Sequence, residues 1–159
     1  MYIGYFGTVI FGVAEHYLVT PDEVERSGQS RWQTHDTILK KPVPQFIGPS
    51  QESISFKMHL MTLYNAMPEQ QLKKLREMRD NGIVCPLIIG GVPVSQNYWY
   101  LENLSESDSI YNAYGKIIAV TANVQLKEYD TTNTDEESMV NKVGKAYNVL
   151  TTLFGRGGL

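Results

Sequence analysis

The chain has 159 residues, 42% of them hydrophobic and 19% charged, with a net charge of −3 and an isoelectric point near 5.6. That is apolar material for one folded domain with a small appendage, and it excludes a disordered chain. It also argues against a protein that grips a nucleic-acid backbone, which needs clustered Lys and Arg, while leaving open one that encloses DNA without binding it.

From the N-terminus, Tyr2–Phe6 and Thr8–Val13 read as strand segments interrupted at Gly7, where a bend or bulge is expected. The apolar start lacks the basic lead and small-residue cleavage site of a signal peptide. No run reaches the roughly 20 apolar residues that span a bilayer, so the expectation is a soluble protein made in the cytoplasm. Tyr17–Thr20 adds a short strand, which Pro21-Asp22 is expected to end.

The stretch from Arg26 to Leu63 is the most informative. It opens as a polar Ser- and Gly-rich segment with Arg26, Arg31 and Trp32 and passes through a proline-punctuated turn region (Pro42, Pro44, Gly48, Pro49). It ends in an alternating strand, with Ile54, Phe56, Met58 and Leu60 on one side and Ser53, Ser55, Lys57 and His59 on the other. The pattern predicts a β-rich domain with one extended functional loop.

Pro68–Asn81 reads as a helix. Pro68 suits a first turn, Leu72, Leu75 and Met78 continue a narrow apolar stripe, and Gly82 supplies the stop. Lys73, Arg76, Glu77 and Asp80 form a solvated face of mixed sign. Ile83–Ile89, with Pro86 inside it, reads as an edge or irregular strand. After the Gly90-Gly91 turn comes a strand over Pro93–Leu104. Its four bulky residues Tyr98, Trp99, Tyr100 and Leu101 cannot all face one core, so one side is expected to be covered by a further element or subunit. Ser105–Ser109 is polar. Asn112–Gly115 looks like a turn between Ile110-Tyr111 and a long strand, Lys116–Tyr129, in which Ile118, Val120, Ala122, Val124 and Leu126 alternate with polar or small residues. A polar linker, Asp130–Thr134, leads to a final amphipathic helix. Thr134 and Glu137 have capping-box spacing, and Met139, Val140, Val143, Ala146, Tyr147, Leu150 and Phe154 line one face. The chain thus divides into a core over 1–129 and a linker with helix over 130–159. Its class is α+β: antiparallel strands, one inserted helix and one appended helix.

Catalytic signals are few. His35-Asp36 are adjacent, but neighbouring residues seldom point the same way, and no Ser or Cys stands out as a nucleophile. His16, His35 and His59 lie far apart, and the one cysteine, Cys85, sits in an apolar run, which gives no metal-ligand spacing and no disulfide. Gly4, Gly7, Gly12 and Gly90-Gly91 match neither a P-loop nor a dinucleotide fingerprint. Arg31-Trp32 lacks the several aromatics of a single-strand binder. The residues point to no enzyme, no metal and no cofactor.

Three stretches in register, R-S-G-Q-S-R-W-Q-T-H-D (26–36), K-P-V-P-Q-F-I-G-P (41–49) and E-S-I-S-F-K-M-H-L (52–60), resemble the signature region of the phage P2 tail protein U family. L-K-K-L-R-E-M-R-D-N-G (72–82), C-P-L-I-I-G-G (85–91), W-Y-L-E-N-L-S-E (99–106) and V-Q-L-K-E-Y (124–129) agree in order and spacing, so the resemblance covers about residues 2–129. It implies a non-enzymatic structural component of contractile phage tails or R-type bacteriocins, with a tail-tube-like β-barrel or sandwich flanked by one helix. It further implies a hexameric ring that initiates the tube at the baseplate hub; the alternative is a terminator ring at the head-proximal end. A small ligand-binding domain is a distant third reading. The implied partners are copies of itself, the tail-tube protein and a baseplate hub or LysM-type hub protein, with tape measure or DNA passing through the lumen unbound. The implied setting is the bacterial cytoplasm during assembly and then the particle's tail. On this reading Arg26, Arg31, Trp32, His35, Tyr98 and Tyr100 are expected at subunit interfaces. The helix face Met139, Val143, Tyr147, Leu150 and Phe154, beyond the resemblance, is expected to dock a partner.

Overall fold

A computed structural model describes residues 1–14, 17–64 and 66–130. Twelve strands and one α-helix follow in the order β1 (Tyr2–Phe6), β2 (Val9–Ala14), β3 (Tyr17–Val19), β4 (Pro21–Ser27), β5 (Ser30–His35), β6 (Val43–Pro49), β7 (Ser53–Met61), α1 (Pro68–Asp80), β8 (Val84–Cys85), β9 (Leu87–Ile89), β10 (Val92–Pro93), β11 (Tyr98–Tyr111) and β12 (Ile117–Tyr129). A short 3₁₀ turn, Thr62–Tyr64, precedes the helix. The small sheet runs β10-β9-β1-β2-β3, the large sheet β4-β7-β12-β11-β8, and β5 and β6 form a separate ribbon. Each pairing is antiparallel. The class is α+β, dominated by antiparallel sheet.

The alternation read in the sequence sets the layers. Ile54, Phe56, Met58 and Leu60 of β7 and Val120, Ala122, Val124 and Leu126 of β12 are buried on one face of the large sheet. The small sheet contributes Phe6, Val9, Phe11 and Val19 to the same cluster, and α1 contributes Leu72, Leu75 and Met78. Phe11 and Phe56 meet edge to face, ring centroids 5.9 Å apart at 88°, which joins the two sheets through an aromatic contact worth more than its area alone. Gly4 lies where β1 passes β9 so closely that a Cβ would sit 1.9 Å from the Ile88 carbonyl oxygen. The helix begins at Pro68 and ends in a Schellman motif. Gly82 takes φ 59°, its N–H donates to the Arg79 carbonyl at 3.2 Å, and the Ile83 N–H donates to Met78 at 3.0 Å. A bidentate Arg76–Glu106 pair, with bonds of 2.6–3.0 Å, ties α1 to β11.

Several boundaries differ from the sequence reading. Gly7 sits in a turn between two paired strands, so the N-terminal segment is a hairpin. β3 stops at Val19, just before Pro21 as expected, but Pro21 also opens a further strand, β4, a position where its missing N–H leaves the ladder intact. The expected extended loop is largely regular. β5 and β6 pair from Ser30↔Pro49 to His35↔Val43, and the prolines fall on a ribbon exposed along both edges. With no face buried, its hydrophobic pattern carries no period of two, which is why it reads as loop. The expected strand Pro93–Leu104 is split, because β10 stops at Pro93 and β11 starts at Tyr98. Ser105–Ser109 is not a break: β11 runs through it to Tyr111, and its polarity reflects exposure. In the run 98–101, Trp99 and Leu101 are buried in the core while Tyr98 and Tyr100 are half-buried.

Candidate assembly surfaces

The β5–β6 ribbon extends the β4·β7 ladder beyond the end of the large sheet. Ser27 pairs with Ser53, the Ser50 N–H donates to the Gln29 carbonyl at 2.8 Å, and Ser30 pairs with Pro49. Each residue of β5 is exposed, as is each of β6 except Gly48. A bulge between Arg31 and Trp32 puts Ile47 out of register and sets Trp32 opposite Phe46. Their rings meet at 5.2 Å and 61°, each side chain still more than half exposed (56% and 55%), and the Trp32 indole N–H donates to Ser30 Oγ at 2.8 Å. His35 Nε2 lies 2.8 Å from the Gln45 amide oxygen, so it braces the ribbon instead of pairing with Asp36. At the tip, Thr37 Oγ1 donates to the Lys41 carbonyl at 2.9 Å, leaving Ile38 and Leu39 fully in solvent.

The sequence-predicted interface residues are thus divided. Arg31, Trp32 and His35 share the ribbon. Arg26 lies in β4, where its guanidinium binds Glu52 and reaches the Val94 carbonyl at 3.3 Å, a link within the subunit. Tyr98 and Tyr100 belong to β11. Arg31 also lines a polar cleft at the ribbon's root with Ser50, Glu52, Asn97 and Glu128. There the Glu128 carboxylate accepts from the Glu52 N–H at 3.1 Å and from Asn97 at 2.9 Å. Met139, Val143, Tyr147, Leu150 and Phe154 lie outside the described residues, as does the rest of 131–159.

Sequence reasoning missed one surface and read a second only as the polar side of alternating strands. At the other end of the β4·β7 ladder, where β7 finishes at Met61, the β11–β12 turn exposes Ile110, Tyr111 and Tyr114, and Leu63 and Met67 lie exposed just after the strand. Three of these five, Ile110, Tyr111 and Tyr114, flank or occupy the Asn112–Gly115 turn, which was the available signal. The second surface is the outward face of the large sheet. It carries Ser53, Ser55, Lys57 and His59 of β7, and Thr121, Asn123, Gln125 and Lys127 of β12. Its two lysines are paired, Lys57 with Glu23 and Lys127 with Glu102 at 2.8 Å. Hydrogen bonding and charge from those carboxylates hold both ammonium groups above their ordinary pKa. His59 lies 3.1 Å from Thr121 Oγ1 and 3.7 Å from Asp22. Burial pushes the Cys85 thiol up to about 12, which makes it a poor nucleophile. Among the described residues no group of three or more His, Cys, Asp or Glu is placed to hold a metal, and no helix is long and apolar enough to cross a membrane.

The family model described as Phage P2 GpU matches residues 7–131, more than three quarters of the chain and every element from β2 to β12. No curated protein matches.

Proposed function

The chain belongs to the Phage P2 GpU family and is a structural protein of a phage tail; from that premise we propose that it forms a hexameric ring that initiates the tail tube at the baseplate hub. The observation that carries this reading is the pair of edges on the large sheet. The strands β4-β7-β12-β11 alternate in direction, so β4 and β11 run opposite ways. Copies set side by side with β4 against the next β11 therefore continue one antiparallel sheet without a break in pattern. β8 covers β11 only at Trp99 and Tyr100, so the edge from Leu101 to Tyr111 has no strand beside it among the described residues. Such a head-to-tail contact closes into a ring when the rotation suits. The polar outward face then lines the lumen, a tail-tube-like arrangement, and tape measure or DNA passes along it unbound.

Axial contacts fall to the two apolar ends of the β4·β7 ladder. The ribbon, with Arg31, Trp32 and His35, reaches one neighbour, and the end bearing Ile110, Tyr111 and Tyr114 meets the other. Tube protein and hub protein are the partners this assigns. The 130–159 appendage is read as a separate docking element whose face Met139, Val143, Tyr147, Leu150 and Phe154 binds the hub, a role supported by the polar linker that joins it to the core. Labelling the protein in intact particles tests the reading. Label at the baseplate end is expected; label at the head-proximal end would replace the initiator with a terminator.

A further inference from the structure

The ladders of the large sheet carry four register shifts: one leaves Ile118 of β12 as the extra residue, and the other three place extra residues on β4 and β11 and each include an acid. In β4, Glu23 and Val24 together oppose Phe56, with Glu23 at φ 49°. In β11, Glu102 is the extra residue between Leu101↔Leu126 and Asn103↔Gln125. Further along β11, Asp108 and Ser109 oppose Val120, with Asp108 at φ 54°. A bulge rotates a side chain out of the normal alternation, and bulges recur where a strand must re-aim one group. Here the re-aimed groups meet the lysines of the outward face. Glu23 binds Lys57, Glu102 binds Lys127, and Asp108 adds its field at Lys57. A left-handed φ is uncommon at a glutamate, while an aspartate takes it more readily, so the backbone carries conformational strain at Glu23.

We propose that the bulged acids Glu23 and Glu102 are charge masks, which cancel the two lysines of the large sheet's outward face so that duplex DNA slides past it without being held. Two ammonium groups on this face stand against Asp22, Glu23, Glu25 and Glu102. The remaining lining, Ser53, Ser55, Asn103, Ser105, Asn123 and Gln125, is neutral. Affinity for a polyanion arises from ammonium and guanidinium groups that neutralise phosphates and release counterions. An ammonium already held by a carboxylate releases none. The lysines still contribute to the sheet, since their aliphatic stems cover neighbouring strands while the charge is cancelled. The masking rests on the ring reading only for where DNA is met; the charge pattern belongs to the single subunit.

The test is the full-length protein with Glu23→Gln and Glu102→Gln together, both isosteric, with binding to a short fluorescein-labelled DNA duplex followed by anisotropy across a salt series. The wild-type protein is expected to show no salt-dependent binding. The double variant is expected to gain about tenfold or more in affinity near 50 mM salt, lost by roughly 200 mM, with a slope of about −0.9 for each phosphate neutralised. Adding Lys57→Gln and Lys127→Gln should abolish the gain. Circular dichroism checks that each variant is folded. A folded double variant with wild-type affinity, or a gain that survives removal of the lysines, overturns the masking role. Mass photometry on the same samples scores ring formation separately: a DNA gain in a protein that never forms rings keeps the masks and removes the ring.

Discussion

At the scale of single residues, the two tryptophans stand in opposite settings. Trp99 is fully buried in the core and its indole N–H finds no acceptor among the described residues. Trp32 stands 56% exposed against Phe46 on a ribbon with no core of its own. Trp99→Ala should therefore cost about 3–5 kcal/mol of folding stability, through lost contact and the cavity left behind. Trp32→Ala should change it by about 0.5 kcal/mol or less yet impair assembly into tails, as an aromatic anchor buried only on association does. Denaturant melts of the two variants beside counts of assembled tails check the contrast; equal loss of stability would remove the anchor role. Cys85 provides a second residue-level prediction. Its folded pKa, about 12, lies above the unfolded value near 9.0. The unfolded chain thus loses its proton first, and stability contributed by the neutral thiol is present below pH 9 and falls as pH rises toward 12. At pH 8 the native thiol should resist a disulfide reagent and react at once in urea.

At the scale of elements, the β5–β6 ribbon is a removable arm. It joins the core through the paired β4 and β7, and Gln29 and Ser50 are already hydrogen-bonded across its base. Excising Ser30–Pro49 and closing the ladder with an Asn-Gly turn should leave a folded protein with an unchanged melting temperature. The same variant should fail to assemble. If the excised protein unfolds, the ribbon belongs to the core and its aromatic pair serves stability. The helix behaves in the opposite way. Its Schellman end and the Arg76–Glu106 clamp lock it to the large sheet, so it offers no comparable freedom.

For the whole molecule, the arrangement has two lateral edges, two apolar ends and one polar face, and the proposed ring gives each of them a role. The 130–159 appendage follows the last strand of the large sheet. Truncation after Asp130 should preserve core folding and abolish binding to the hub protein. Wild-type hub binding by the truncated chain, measured by pull-down, would remove the docking role.

Reading alternation and turn residues along the chain was sufficient for the core strands β7 and β12, for the helix from Pro68 to its stop at Gly82, and for the class. Burial of one face writes a period into a sequence, and these elements each bury one. The tail family was legible by resemblance, because motifs in register from Arg26 onward survive without knowledge of their contacts. The ribbon's regularity was not legible, since strands exposed on both faces carry no period. Nor were the bulged acids, because Glu23, Glu102 and Asp108 look like ordinary surface residues until register shows two residues opposing one, or an extra residue with no partner. That Arg26 binds Glu52 and the Val94 carbonyl was not legible either, since only the folded chain brings those two groups to it. Local pattern determines which residues face inward; pairing between distant strands determines which charges meet.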